Sequence, residues 1–407
     1  MFEKEKIYIA GPECFYRNGY TQLDVMKRRA EEKGFGVTLP NNHPLDMENP
    51  DLRKRADSIF RDLETIMKET TVIIADLEAY RGSEPDSGTV YEIGMAYADG
   101  LKCYGYTRDK RPLACKDQKY VMRDKNVYDE HGNQAPYRDL PFAPTVVGST
   151  KIVEGDFDDC LRMLMDDIEE EWKRRGDGRA KAGKFADGAA EVSKAADGAS
   201  EAGKAADGKA ADGGAEAGKT DGGAAASDGF RQPVVYLADV VRYGADAPEV
   251  YRKMKEIAAK YGLTAVAPSD GLDEAGWTVN GPWGGDMGPL YARAAALTRH
   301  SADLIRGCDA VIADLNDYRG YECSNDVGFE CGVAFELGKK LYGYMDDARP
   351  CIERLPHLGE ENEFRDMTGS NVENFGYPIN LMFACSMKIF EGKFEEAVKA
   401  VAADLKR

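Results

Sequence analysis

Short apolar runs alternate along the chain with longer stretches in which apolar residues return every three or four positions. Lys6–Pro12 (KIYIAGP), Phe35–Leu39, Thr71–Asp76 (TVIIAD), Cys103–Thr107 and Val146–Ile152 read as buried strands. Gly19–Lys33, Leu52–Glu69, Ser87–Asp99 and Phe157–Lys173 read as helices. In the last of these, Phe157, Leu161, Leu164, Met165, Ile168 and Trp172 fall at helical spacing. Strands alternating with helices predict an α/β fold, a doubly wound parallel sheet. A long polar insertion, Arg108–Asp139, interrupts the order.

The order then restarts. Pro233–Leu237, Leu263–Ala267 and Ala310–Leu315 read as strands, and Glu249–Tyr261, Tyr291–Arg306 and Phe394–Leu405 as helices. Arg319–Tyr344 (RGYECSNDVGFECGVAFELGKKLYGY) echoes Arg81–Tyr106 (RGSEPDSGTVYEIGMAYADGLKCYGY), so the chain is a tandem repeat. Between the copies the composition narrows to Ala, Gly, Asp, Lys and Glu, with KAADG at Lys194, Lys204 and Lys209. Recurrent Gly costs a helix about 1 kcal/mol each against Ala, and there is almost no apolar face to dock. We therefore expect domains at 1–175 and 230–407, joined by a flexible low-complexity linker at 176–229. Two equivalent domains on one chain suggest an internal pseudo-dimer; further self-association is left open.

A formal net charge of −18 over 407 residues argues against polymeric nucleic acid or an anionic membrane as partner. No apolar run is long enough to span a bilayer, and the start lacks the pattern of a secretory signal. Nine scattered cysteines without CxxC spacing read as reduced packing residues, which points to the cytoplasm. Four histidines without metal-ligand grouping predict no metal site.

Candidate chemistry gathers where open α/β sheets place it, at the carboxyl ends of strands. The Gly11-Pro12 turn after the first strand lets backbone approach a ligand, with Tyr8 and Phe15 as aromatic neighbours. Asp86 and Glu92 bracket the start of the Ser87–Asp99 helix, and the positive end of that helix is expected to keep Glu92 ionised. Asp62 sits on a helix from which a carboxyl can project across the site. Each acid alone is commonly a solvated surface group; together, at strand ends of one sheet, they point to a site. Arg81 and Glu84, repeated as Arg319 and Glu322, read as a loop-shaping ion pair.

The combination of Tyr8-Ile-Ala-Gly-Pro12 with Phe15, Asp62, the string DSGTVYEIGMAYADG from Asp86, and Asn380-Leu-Met382 resembles the nucleoside 2-deoxyribosyltransferase family. The resemblance covers essentially the whole of each half. It implies a flavodoxin-like fold in both domains and transfer of 2-deoxyribose between nucleobases, with 2′-deoxynucleosides and free bases as partners and no cofactor. By position, Glu92 matches the nucleophile and Asp62 the proton donor or acceptor at the base. Tyr8 orients the nucleophile, Phe15 packs on the base, and Asp86 and Asn380, with Met382 beside it, hold the 5′-hydroxyl end. The chemistry wants these types independently. A carboxylate captures the cation that develops at C1′, and a second acid protonates the leaving base.

In this family a neighbouring subunit completes each site. Aligned on Glu92 and Glu330, the second half has Asp239-Val240 for Gly11-Pro12, Tyr243 for Phe15, His300 for Asp62 and Ser324 for Asp86. The first half has Ala143-Pro-Thr145 where the second keeps Asn380-Leu-Met382. One complete site is therefore expected, built from both halves, with the Glu330 site dead and His300 a structural residue. Two other readings stand beside the transferase. One is an N-glycoside hydrolase acting on 2′-deoxynucleosides or their 5′-monophosphates; the other is a non-enzymatic nucleoside- or nucleotide-binding protein.

Overall fold

The computed structural model describes residues 2–40, 45–116, 121–123, 126–128, 139–176, 231–244, 246–272 and 287–405. In the first half, the strands are β1 (Lys6–Ala10), β2 (Gly36–Thr38), β3 (Val72–Asp76), β4 (Lys102–Thr107), β5 (Val121–Arg123), β6 (Asn126–Tyr128) and β7 (Lys151–Glu154). The helices are α1 (Gly19–Glu32), α2 (Leu52–Glu69), α3 (Ser87–Ala98), α4 (Leu113–Lys116), α5 (Pro144–Ser149) and α6 (Phe157–Gly176). The second half contributes strands β8 (Val234–Ala238), β9 (Thr264–Val266), β10 (Ala310–Asp314), β11 (Lys340–Met345) and β12 (Lys388–Glu391). Its helices are α7 (Ala247–Lys260), α8 (Met287–Gly307), α9 (Asn325–Glu336), α10 (Cys351–Arg354), α11 (Leu381–Ser386) and α12 (Phe394–Leu405).

Each half builds a five-stranded, all-parallel sheet, in the order β2-β1-β3-β4-β7 and, in the second copy, β9-β8-β10-β11-β12. This is the flavodoxin-like order, whose switch point lies between the first and third strands. Tyr8 pairs with Ile73 across that point, and Tyr236 holds the same place in the second sheet, paired with Val311. Of the Arg108–Asp139 insertion the structure describes residues 108–116, with α4, the short antiparallel pair β5–β6, and Asp139. One expected strand is corrected: Val146 and Val147 belong to α5, and the last strand begins at Lys151. Pro144 at the first turn supplies a φ that suits a helix start, which outweighs the β-branched pair.

Both sheets are buried on both faces, so alternate strand residues enter different layers. Ile7, Ile9, Val72 and Ile74 pack outward in the first half's own core, with Leu164 and Ile168 of α6. Tyr8, Ala10, Ile73 and Ala75 face inward and join Tyr236, Ala238, Val311 and Ala313 in a single core that both halves share. The two repeats form one compact unit, Met1–Glu171 with Gln232–Arg407. Apart from Gly176, the tether expected at 176–229 lies outside the described residues.

Helices α3 and α9 meet where each carries a glycine. A Cβ on Gly94 would lie 2.2 Å from the Phe329 carbonyl oxygen, and one on Gly332 would lie 1.9 Å from that of Tyr91. Only glycine permits this approach. The loops before the two helices meet as well, in an antiparallel bridge between Gly82 and Gly320. Arg81 and Arg319 both take left-handed backbone (φ 51° and 55°), a conformation that costs a non-glycine residue. The expected loop ion pair therefore runs between the halves and not within one. Arg319 Nη1 lies 2.8 Å from Glu84 Oε1, and Arg81 Nη1 lies 3.7 Å from Glu322 Oε1.

Candidate active site

At the switch point of the first sheet, Tyr8 Oη donates a 2.8 Å hydrogen bond to Oε1 of Glu92, in the second turn of α3. Both side chains are buried. Burial pushes the Glu92 carboxyl up to about 8; the Tyr8 hydrogen bond opposes this, and Asp86 and Glu13 add to it. The sequence expectation that the helix end keeps Glu92 ionised is thus corrected. Desolvation outweighs the dipole at a carboxyl nine-tenths buried and beyond the first turn.

Asp86 caps α3. Its Oδ2 accepts from the Thr89 backbone N–H at 2.7 Å and from the Thr89 hydroxyl at 2.6 Å. Its Oδ1 is buried without a hydrogen-bond partner. Burial raises the Asp86 carboxyl even though the Thr89 bonds pull the other way. An unpartnered buried oxygen beside a cavity is an acceptor waiting for a donor.

The second half closes the cavity. Asn380 caps α11, its Oδ1 accepting from Met382 N at 2.9 Å, while its side chain lies against Gly88 in the first turn of α3. A Cβ on Gly88 would stand 2.6 Å from Asn380 Nδ2, so glycine there admits the amide. The result is a cavity of about 70 Å³. It is lined by Tyr8, Gly11, Phe15, Asp86, Glu92, Asn380 and Met382, seven of the eight residues singled out in the sequence. A Cβ on Gly11 would meet Glu13 Oε2 at 2.0 Å and Asp76 Cβ at 3.0 Å, so a larger residue there would displace the Glu13 side chain.

Asp62 is the exception. It is buried, but it lines an adjoining hollow with Asp46, Asp57 and Arg61; its α2 neighbours Ile59 and Leu63 line the cavity itself.

The sequence places the second half's Cys351–Gly376 insertion at the base pocket without singling out a residue in it. Asn371 N donates to the Phe15 carbonyl at 2.8 Å, and Arg365 Nη1 to the same oxygen at 3.3 Å. Arg81 reaches across to Asp366 Oδ2 (2.9 Å) and to the Asn371 carbonyl (2.5 Å). Glu373, from the same segment, lines the cavity. No periodicity or motif in that stretch marks it. Thr89 was missed too, although the Asp86-x-x-Thr89 spacing is a helix-capping signal that marks it.

The model of the family described as nucleoside 2-deoxyribosyltransferase matches residues 7–136 and 235–382, one stretch in each half. The chain belongs to the nucleoside 2-deoxyribosyltransferase family. Among solved structures, it is similar to a 2-deoxyribosyltransferase from Leishmania mexicana at 26% identity, over 42% of this chain and 97% of that one, with a TM-score of 0.33. It is similar also to the enzyme of that name from Bacillus psychrosaccharolyticus (16% identity, 42% and 95% of the two chains, TM-score 0.26). A conserved protein from Enterococcus faecalis V583 matches at 19% identity over 41% and 98% of the two chains, with a TM-score of 0.27. A search of curated proteins finds no match.

The second deoxyribosyltransferase repeat keeps the tyrosine–glutamate pair: Tyr236 Oη donates to Glu330 Oε1 at 2.7 Å. Arg242, where the first repeat has Cys14, fills the place in front of it. Its Nη1 and Nη2 lie 2.8 and 2.6 Å from the two Glu330 oxygens. Asp326, at the position of Gly88, accepts from Thr145 Oγ1 at 2.7 Å and also from Tyr243 Oη. What remains is a space of about 20 Å³, room for roughly one water. His300 Nε2 is tied to the Asp270 carbonyl at 2.8 Å. The sequence did not mark Arg242 as the residue that fills this pocket.

Proposed function

We propose that this chain transfers 2-deoxyribose from one nucleobase to another, in nucleoside salvage, through a covalent ester on Glu92. The observation that carries the reading is the Tyr8–Glu92 pair at the wall of a cavity that Asn380 closes from the other half. Glu92 Oε attacks C1′ as the C1′–N bond breaks, and the base leaves with a proton. Asp62 is the acid assigned to that proton, one residue from Leu63 at the cavity wall. Positive charge growing at C1′ favours the ionised form of a carboxyl that otherwise holds its proton up to about pH 8. A second base then attacks C1′ through its ring nitrogen, breaks the C1′–O ester bond to free the Glu92 carboxylate and returns its proton to Asp62. Asp86 Oδ1 and the Asn380 amide are assigned to the sugar's hydroxyl end, and Phe15 to the base.

Incubation with a 2′-deoxynucleoside, with and without a second base, followed by separation of the products, tests this. New nucleoside formed only when the acceptor is present is the expected result, together with a deoxyribosyl adduct on the Glu92 peptide that Glu92→Ala abolishes. Free deoxyribose released equally with and without acceptor would make the chain a hydrolase. Binding without turnover would make it a nucleoside-binding protein.

A further inference from the structure

We propose that Glu373, supplied by the second half, is a specificity-determining residue that makes the sugar end of the cavity accept a free 5′-hydroxyl and reject a 5′-phosphate. The inference rests on the proposed function, because it takes the ligand to be a deoxynucleoside. Its basis is the charge of the lining. Asp86, Glu92 and Glu373 all line the cavity, and no Lys, Arg or His lies among the lining residues described. Arg81 lies outside this lining, with its guanidinium held by Asp366, the Asn371 carbonyl and Glu322.

Glu373 is buried and its Oε1 accepts from Leu381 N at 3.4 Å, directly after Asn380, so it stands at the same end of the cavity as the Asn380 amide. Burial pushes the Glu373 carboxyl up to about 7; the charge of Arg81 and the Leu381 N–H pull it down, and Asp86 adds to the rise. Two acceptor-rich carboxyls and one amide suit a hydroxyl donor. Above about pH 7, where Glu373 is ionised, a dianion there would meet like charge in a desolvated space, which discriminates strongly. No motif suggested the residue.

The test compares a 2′-deoxynucleoside with its own 5′-monophosphate in the full chain, by transfer kinetics, by inhibition of transfer by the monophosphate, and by direct calorimetric binding. The wild type is expected to prefer the nucleoside in each assay. Glu373→Gln keeps an oxygen for Leu381 N, and should shift the nucleoside-to-nucleotide binding ratio toward the nucleotide by roughly tenfold or more. Glu373→Leu removes both functions; it should weaken nucleoside binding while shifting the ratio the same way. If both variants weaken the two ligands equally, with an unchanged ratio, Glu373 only positions Asn380 and the inference is overturned. A ratio that responds to Asp86→Asn but not to Glu373→Gln overturns it as well. Because the ratio is read in binding, a chain that binds nucleoside without transferring sugar sinks the proposed function and leaves this inference standing. Failure to bind the nucleoside at all sinks both.

Discussion

At the scale of single residues, the decisive feature is a carboxyl that burial keeps protonated in the resting site. Glu92 is pushed up to about 8, and the Tyr8 hydrogen bond is the one contribution that pulls it down. If ionised Glu92 is the attacking form, kcat/KM should rise with pH and level off above about 8. Tyr8→Phe removes the bond that favours the carboxylate, so the midpoint should move to higher pH while the plateau falls less than the neutral-pH rate. A profile that Tyr8→Phe leaves in place would show that Glu92 is not the titrating group. Tyr8, Glu92 and Asp86 were readable in the sequence because each stands at a fixed offset from a strand end or helix start. Glu92's protonation was not readable, since it depends on how completely the second half covers α3.

At the scale of elements, most strands and helices were legible because hydrophobic period and length agree in them. Leu52–Glu69 and Phe394–Leu405 match the expected bounds at both ends. The stretch at α5 was misread because Val146 and Val147 carry a strand signal that Pro144 and the packing against α8 override. Arg242 was missed for a different reason: a lone arginine after a strand gains meaning only when α9 brings Glu330 to it. That contact joins the β8 loop to α9 through a fully buried ion pair. Removing one partner strands the other charge, so Arg242→Met or Glu330→Met alone should cost about 3–5 kcal/mol in denaturant unfolding. The double variant, with apolar groups on both sides, should cost much less. Deoxyribosyl transfer per folded molecule should be unchanged in all three. Single variants as stable as the parent would show that the pair does not lock the second pocket.

At the scale of the whole molecule, one core shared by two halves places an unusual number of acids out of reach of water. Burial raises Glu92 to about 8, Glu373 to about 7 and Asp239 to about 7, and it raises the carboxyl of Glu330 against the pull of Arg242. In the unfolded chain such groups ionise near 4. Between the two ranges the unfolded state binds fewer protons than the folded one, so stability falls as pH rises. The contribution is fully present below about pH 4 and is lost as pH passes through about 7 to 8. The net charge of −18 adds self-repulsion in the same direction, but that part is screened by salt, whereas the buried part is not. The midpoint of thermal unfolding should therefore be higher near pH 5.5 than near pH 8.5, and most of the difference should persist at about 0.5 M salt. Glu92→Gln, which removes one buried titrating group, should flatten the dependence. A midpoint that rises with pH, or a difference that vanishes in salt, would mean that these carboxyls are solvated in the folded protein and that the cavity is not the dry site described here.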